Sequence, residues 1–168
     1  VGEADGNVSS AVHAATSGTV KAVEPRLMAH SSGLEALCVV IEPDGEDRWR
    51  ERRPVDWRAM TPEQVRLHLR DAGVVGLGGA VFPSHLKVNA GKFGRLNTLV
   101  INGAECEPFI TCDDMQMRER GETVLKGAAI LRDLTDAKQV LIGIEDNKPE
   151  AIAAMEAALK RLQEPRIQ

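Results

Sequence analysis

The sequence predicts an α/β fold preceded by a small β-module. Three observations point to it. Before residue 50 the chain has short apolar runs broken by turn residues, with no helical periodicity. After residue 60 the apolar spacing turns helical in three places. Between those helices lie two short, unbroken apolar runs that read as buried strands, and strands alternating with helices argue for a parallel sheet. The expected division is a β-module over residues 1–50 and an α/β part over residues 51–168.

The elements follow in order. "AVHAATSGTVKAVEP" places Val20, Ala22 and Val23 after a Ser17-Gly18 turn. "EALCVVIEPDGEDRW" gives an apolar run from Leu37 to Ile41, closed by the turn chemistry of Pro43-Asp44-Gly45. Residues 46–58, "EDRWRERRPVDWR", read as a solvated connector whose tryptophans pack onto the next domain; an arginine-over-indole binding patch is the alternative. "TPEQVRLHLRDAG" has Thr61 as N-cap, Pro62 at the first helical position and Gln64 completing a capping box. Val65, Leu67 and Leu69 supply its apolar contacts and Gly73 stops it. "LNTLVINGAE" reads as a buried strand from Thr98 to Ile101. "MRERGETVLKGAAILRDL" reads as a helix with Val124, Leu125, Ala128, Ile130 and Leu131 on its apolar face, and "KQVLIGIED" as a second buried strand. The last helix, "EAIAAMEAALKRL", is expected to take Asn147 as cap, with Pro149 early and Glu150 at the box position.

Composition narrows the function. With 43% apolar residues, 3% aromatics and no tyrosine, the core must be largely aliphatic. A net charge of −4 argues against nucleic-acid binding, which needs a basic surface. No apolar run approaches the length of a transmembrane helix, and no signal peptide opens the chain. The chain starts at Val1 rather than Met, so it reads as part of a longer one. Cys38, Cys106 and Cys112 are too few and too scattered for a disulfide framework, a zinc site or an iron–sulfur run, and read as structural or incidental.

Two stretches could carry chemistry. In "VVGLGGAVFPSHLKV", Gly76, Gly78 and Gly79 fall within four positions, without the spacing of a dinucleotide fingerprint or a P-loop. Glycines let main-chain N–H groups approach an anion closely, and Lys87 could neutralise a phosphate. A helix opened by "FPSHLKV" would reinforce that preference. Val81 is awkward there, because a β-branched residue resists φ > 0. A supple packing loop is the alternative. In "VINGAECEPFITCDD", Asn102, Glu105 and Glu107 follow the end of a predicted parallel strand, where open α/β sheets bind ligands. Glu105 and Glu107 read as ligand contacts, while Asp113 or Asp114 reads as the cap of the next helix. Carboxylates also suit a hard cation, but the spacing fits no calcium loop, and no metal is expected. His85 lies beside the glycines and could touch a phosphate; no nucleophile signature appears.

The ordered pair "GLGGAVFPSHLKV" and "LVINGAECEP", with "VHAATSGTV" and "CVVIEPDGEDRW" ahead of it, resembles the C subunit of the Rnf/Rsx electron-transport complex over about residues 8–150. It is more distantly similar to the flavin subunit of respiratory complex I. The resemblance implies a barrel-sandwich-hybrid-like β-module followed by part of a Rossmann-like FMN/NADH-binding α/β domain. It implies that Gly76, Gly78, Gly79 and Lys87 hold the FMN phosphate, and that Asn102, Glu105 and Glu107 face the flavin or NADH. Val81 stands where a third loop glycine usually falls, and Ala104 where the complex I relative has an aspartate. The implied activity is electron transfer between NADH and ferredoxin through FMN and 4Fe–4S clusters, coupled to ion transport. Those clusters belong to a further C-terminal region, since no C-x-x-C-x-x-C run occurs here. The implied partners are the other Rnf/Rsx subunits, which would hold the protein peripherally on the cytoplasmic face of the bacterial inner membrane. A non-catalytic assembly module of that complex, docking through residues 46–58, is the rival expectation.

Overall fold

The computed structural model describes residues 1–77, 80–88 and 96–168. It forms two compact units, Val1–His85 and Leu86–Gln168.

The first unit holds an antiparallel ribbon, β1 (Gly18–Leu27) with β2 (Glu35–Pro43). A bulge falls between Val20 and Ala22. Because side chains alternate along a strand, Val23, Pro25 and Leu27 share a face with Val39 and Leu37. Asp44 closes the ribbon by accepting hydrogen bonds from Ser17 Oγ at 2.6 Å and from the Glu46 N–H at 3.0 Å, and Arg48 Nη2 adds a third at 2.7 Å. A short 3₁₀ turn at Trp57–Ala59 leads into α1 (Pro62–Asp71). The expected capping box is present: Thr61 accepts from the Gln64 N–H, and the Gln64 side chain accepts from the Thr61 N–H. Of the three expected apolar contacts of α1 only Val65 is buried, and Leu67 is left 46% exposed. The N-terminal residues lie along the end of this helix. Ala11 N–H and Ser10 Oγ both donate to the Arg70 carbonyl, at 3.0 and 2.8 Å. Gly73 stops the helix with φ +72°, and a Cβ there would stand 2.6 Å from the Ala11 carbonyl oxygen. Past it, α2 (Ser84–Lys87) is a single turn.

The second unit is a βαβ arrangement. β3 (Thr98–Asn102) pairs in parallel with β4 (Gln139–Gly143), and α3 (Cys112–Thr135) makes the crossover. α4 (Pro149–Leu162) packs on α3. The helices cover one sheet face, burying Met117, Leu125, Ala128, Val140, Ala151 and Met155 against Leu99, Ile101 and Ile142. Val100 and Leu141, pointing the other way, are 65% and 38% exposed. Close approach of the two helices requires Gly121, whose missing Cβ would sit 3.2 Å from Met155 Sδ and 3.3 Å from Ala158 Cβ. α3 breaks helical geometry at Arg120, beside that contact. Residues 166–168 join the sheet alongside β4, with Val140 N–H donating to Arg166 O at 2.8 Å and Ile142 N–H to Gln168 O at 2.8 Å.

Two sequence expectations are corrected. α3 begins at Cys112, five residues before the stretch read as helix, so Asp113 and Asp114 lie inside its first turn. The last helix takes Lys148, not Asn147, at its N-cap position, with no side-chain cap bond.

Candidate functional site

The carboxyl ends of β3 and β4 lie side by side, so the loops that leave them meet. Gly103 N–H donates to the Gly143 carbonyl at 2.8 Å. Asn102, the last residue of β3, turns its Oδ1 back to accept the Ala104 N–H at 3.0 Å, starting the loop with a tight side-chain turn.

Glu105 is the centre of this loop. Its side chain is only 2% exposed. Oε1 accepts the Asp113 N–H at 2.9 Å and Oε2 the Asp114 N–H at 3.4 Å. Those amides belong to the first turn of α3, which has no intrahelical partner for them. Lys148 Nζ stands 3.6 Å from Oε2, and the Glu105 N–H donates to Glu145 Oε2 at 3.2 Å. One carboxylate thus joins the β3 loop, the start of α3 and the β4 loop. Burial alone would raise its pKa; the two amides, the Cys112 thiol and Lys148 outweigh that and hold it below the ordinary carboxylate value. Cys112 shifts the other way. Burial first, then the Asp113 and Glu105 charges, push its thiol up, away from the reactive thiolate. Glu105, Cys112 and Asp113 come within 4.8 Å of one another at this helix start. Since both Glu105 oxygens already accept main-chain amides, capping accounts for the group.

Past Glu105 the loop turns outward. Cys106, Glu107 and Phe109 are exposed. The Ile110 N–H reaches back to the Glu107 carbonyl at 3.4 Å around Pro108 and Phe109. Of the two acids singled out by sequence, Glu107 is therefore presented to solvent and Glu105 is turned inward. Glu145 and Lys148 escaped sequence reading, because only the pairing of β3 with β4 brings them to Glu105.

The glycine stretch lies in the first unit as far as His85. Val75 and Pro83 form an antiparallel bridge, and Gly76 N–H donates to the Phe82 carbonyl at 2.9 Å. Ser84 N–H donates to Val74 O at 3.0 Å, making a narrow neck. Gly78 and Gly79 lie outside the described residues. Gly76 is at the neck, with its amide engaged. Val81 has φ +50°, the left-handed conformation that a β-branched residue resists. A cleft of about 600 Å³ runs between this neck and residues 8–13, lined by Val8, Ser10, Val12, Gly73, Ala80 and Phe82. Lys87 is exposed at the end of the single turn of α2. His85 is buried, and its Nδ1 has no hydrogen-bond partner among the described residues. Burial, and then the Arg70 charge, lower its pKa below the ordinary histidine value.

Comparison with known proteins gives two family matches. Residues 69–168 match the Nuo51 FMN-binding domain, and residues 1–46 the RnfC barrel sandwich hybrid domain. Among curated relatives, the C subunit of the ion-translocating oxidoreductase complex of Serratia proteamaculans (strain 568) is 54% identical over 150 residues, covering 89% of this chain and 21% of that protein. Its counterpart of the same name from Edwardsiella ictaluri (strain 93-146) is 53% identical over 150 residues, 89% of this chain and 19% of its own. That from Yersinia pestis bv. Antiqua (strain Antiqua) is 53% identical, with 89% and 24% covered. The chain thus spans about a fifth of the length of these relatives.

Proposed function

The chain belongs to the RnfC family, with a barrel sandwich hybrid segment ahead of an FMN-binding domain, and from that membership we propose that it contributes flavin-holding residues to an ion-translocating oxidoreductase complex. The observation that carries the reading is a polar loop presented at the carboxyl ends of two parallel strands, inside the segment that matches an FMN-binding domain. Open α/β sheets bind their ligands there.

In this reading Gly76, Gly78, Gly79 and Lys87 attend the FMN phosphate. Lys87 supplies the charge, and Gly78 and Gly79 give the main chain access that a side chain would block, while Gly76, whose amide is taken by the Phe82 carbonyl, shapes the neck of the loop. Asn102, Glu105 and Glu107 attend the ring end. Glu107 presents its carboxylate to the ligand. Asn102 and Glu105 act through the loop whose shape they fix, because their side-chain oxygens are engaged within the protein. FMN held there would supply the redox chemistry, as a hydride acceptor able to release electrons singly, while the protein supplies position and electrostatics. No side chain here is needed as a general acid or base. We infer NADH and ferredoxin as the electron partners, and the other members of the complex as the means of attachment to the cytoplasmic face of the inner membrane. Among the described residues no helix is long and apolar enough to cross a membrane. The 4Fe–4S centres would be carried outside this sequence, whose three cysteines form no cluster motif.

The test is flavin fluorescence on adding FMN to the full-length protein. Lys87→Ala combined with Gly79→Val is expected to weaken binding at least tenfold. Unchanged binding would remove the glycine loop from the phosphate.

A second reading has its own observation. Trp49 is 77% exposed, with the Arg52 guanidinium 4.5 Å above its ring. Residues 46–58 would then dock this protein onto its neighbours in the complex. Pull-down with and without that connector separates this role from flavin binding.

A further inference from the structure

Among the described residues, five that are not glycine have positive φ: Asp47, Val81, Phe109, Asp136 and Gln163. Asp136 and Gln163 are helix C-caps, where the left-handed conformation is the ordinary way to end. Asp47 follows the turn that closes the ribbon, and aspartate tolerates the conformation. Phe109 is different. It is an aromatic residue with φ +66°, and its side chain is wholly in solvent, at 105% of the reference exposure.

The turn explains the backbone. The Ile110 N–H returns to the Glu107 carbonyl, with Pro108 at the second position and Phe109 at the third. Proline second and positive φ third is the pattern of a type II turn, which ordinarily places glycine or asparagine where Phe109 stands. Phenylalanine there carries backbone strain and gains no burial in return. The segment is also fixed at both ends. Glu105 anchors it to the Asp113 and Asp114 amides, to Lys148 and to Glu145, and α3 begins three residues after Phe109. The fold thus holds an uncovered aromatic face on a braced turn at the carboxyl ends of β3 and β4.

We propose that Phe109 is a ring-stacking residue, which covers the planar heteroaromatic system of the ligand bound at these strand ends. The inference rests on the FMN reading above and deepens it: the ring is the isoalloxazine. A flat, polarisable ring offers Phe109 the burial that the protein denies it, and its offset or edge contact supplies orientation as well as affinity. Glu105 then acts as a positioning residue, because the turn it braces sets where the phenyl ring stands.

The experiment is FMN titration of the full-length protein and of four variants, read by flavin fluorescence and the flavin absorption band. Phe109→Gly and Phe109→Leu are expected to lose affinity about tenfold, the size of one ring-stacking contact. Phe109→Tyr should keep the wild-type affinity, and Phe109→Trp should bind FMN with stronger quenching. Phe109→Gly should also melt no lower than wild type, since glycine suits the turn; this separates lost stacking from lost folding. Wild-type affinity and an unmoved flavin band in both the Gly and Leu variants would overturn the proposal while leaving FMN binding intact. So would normal FMN binding joined to lost association with the other members of the complex, which would make Phe109 a protein contact. No uptake of FMN by the wild-type protein would overturn both readings together.

Discussion

Val81 and Asp44 show what single residues contribute. Val81 stands in the glycine loop with φ +50°. A β-branched side chain in that region costs on the order of 1–3 kcal/mol, and glycine removes the strain at a smaller entropic cost. Val81→Gly is therefore expected to raise stability by about 1 kcal/mol, read by thermal denaturation; a lower melting temperature would show that the Val81 methyl groups carry packing that outweighs the strain. The awkwardness of valine here was legible in the sequence, because the objection is local. Asp44 ties the end of the β1–β2 ribbon. The Ser17 hydroxyl, then the Arg48 guanidinium and the Glu46 amide, hold its carboxyl down to about 2 from an ordinary 3.8. A depressed carboxylate stabilises the fold above its unfolded pKa, and that contribution is lost as pH falls through the folded value. Asp44 should therefore support the ribbon fully above about pH 4 and release it near pH 2. Carbon-detected titration of its carboxyl by NMR checks this, and a midpoint near 3.8 would contradict the hydrogen-bond set.

At the scale of elements, the legible parts were those whose stabilising groups are neighbours in sequence. α1 was readable because Thr61 and Gln64 cap it within one turn and Gly73 ends it. Gly73→Ala should cost about 2 kcal/mol, because alanine is strained at φ +72° and its methyl would press on the Ala11 carbonyl. Urea denaturation measures it; a change within a few tenths would mean that the N-terminal segment around Ala11 moves aside freely. The start of α3 was not readable. Its first-turn amides are taken by Glu105, eight and nine residues upstream, and no local cap pattern announces such a bond. The last helix misled for the same reason. Asn147 has the chemistry of a cap, yet the helix starts without a side-chain cap bond, and Lys148 at the cap position reaches instead to Glu105.

For the whole molecule, the parallel pair β3–β4 with its crossover α3 was legible from the change of apolar period, and the antiparallel ribbon from its turns. The candidate site was legible in part. The strand end pointed to Asn102, Glu105 and Glu107, but the two acids divide: one inward as a brace, the other outward. That division depends on burial, which one-dimensional spacing does not carry. Phe109 was also beyond sequence reading, since its conformation and exposure appear only once the turn closes. Arg132, fully buried on α3, shows the same dependence. It donates to Asp133 Oδ1 at 2.6 Å from Nη2, and its Nη1 lies 2.9 Å from Glu164 Oε1, an ion-pair distance without hydrogen-bond alignment. Those contacts hold residues 164–166 where the chain enters the sheet beside β4.

The most direct test of the account compares FMN with riboflavin, which has the same ring system and no phosphate, by calorimetric titration of the full-length protein. FMN is expected to bind at least tenfold more tightly, and Lys87→Ala to abolish most of that preference while leaving riboflavin affinity unchanged. Equal affinity for the two flavins, or no binding of either, would contradict it.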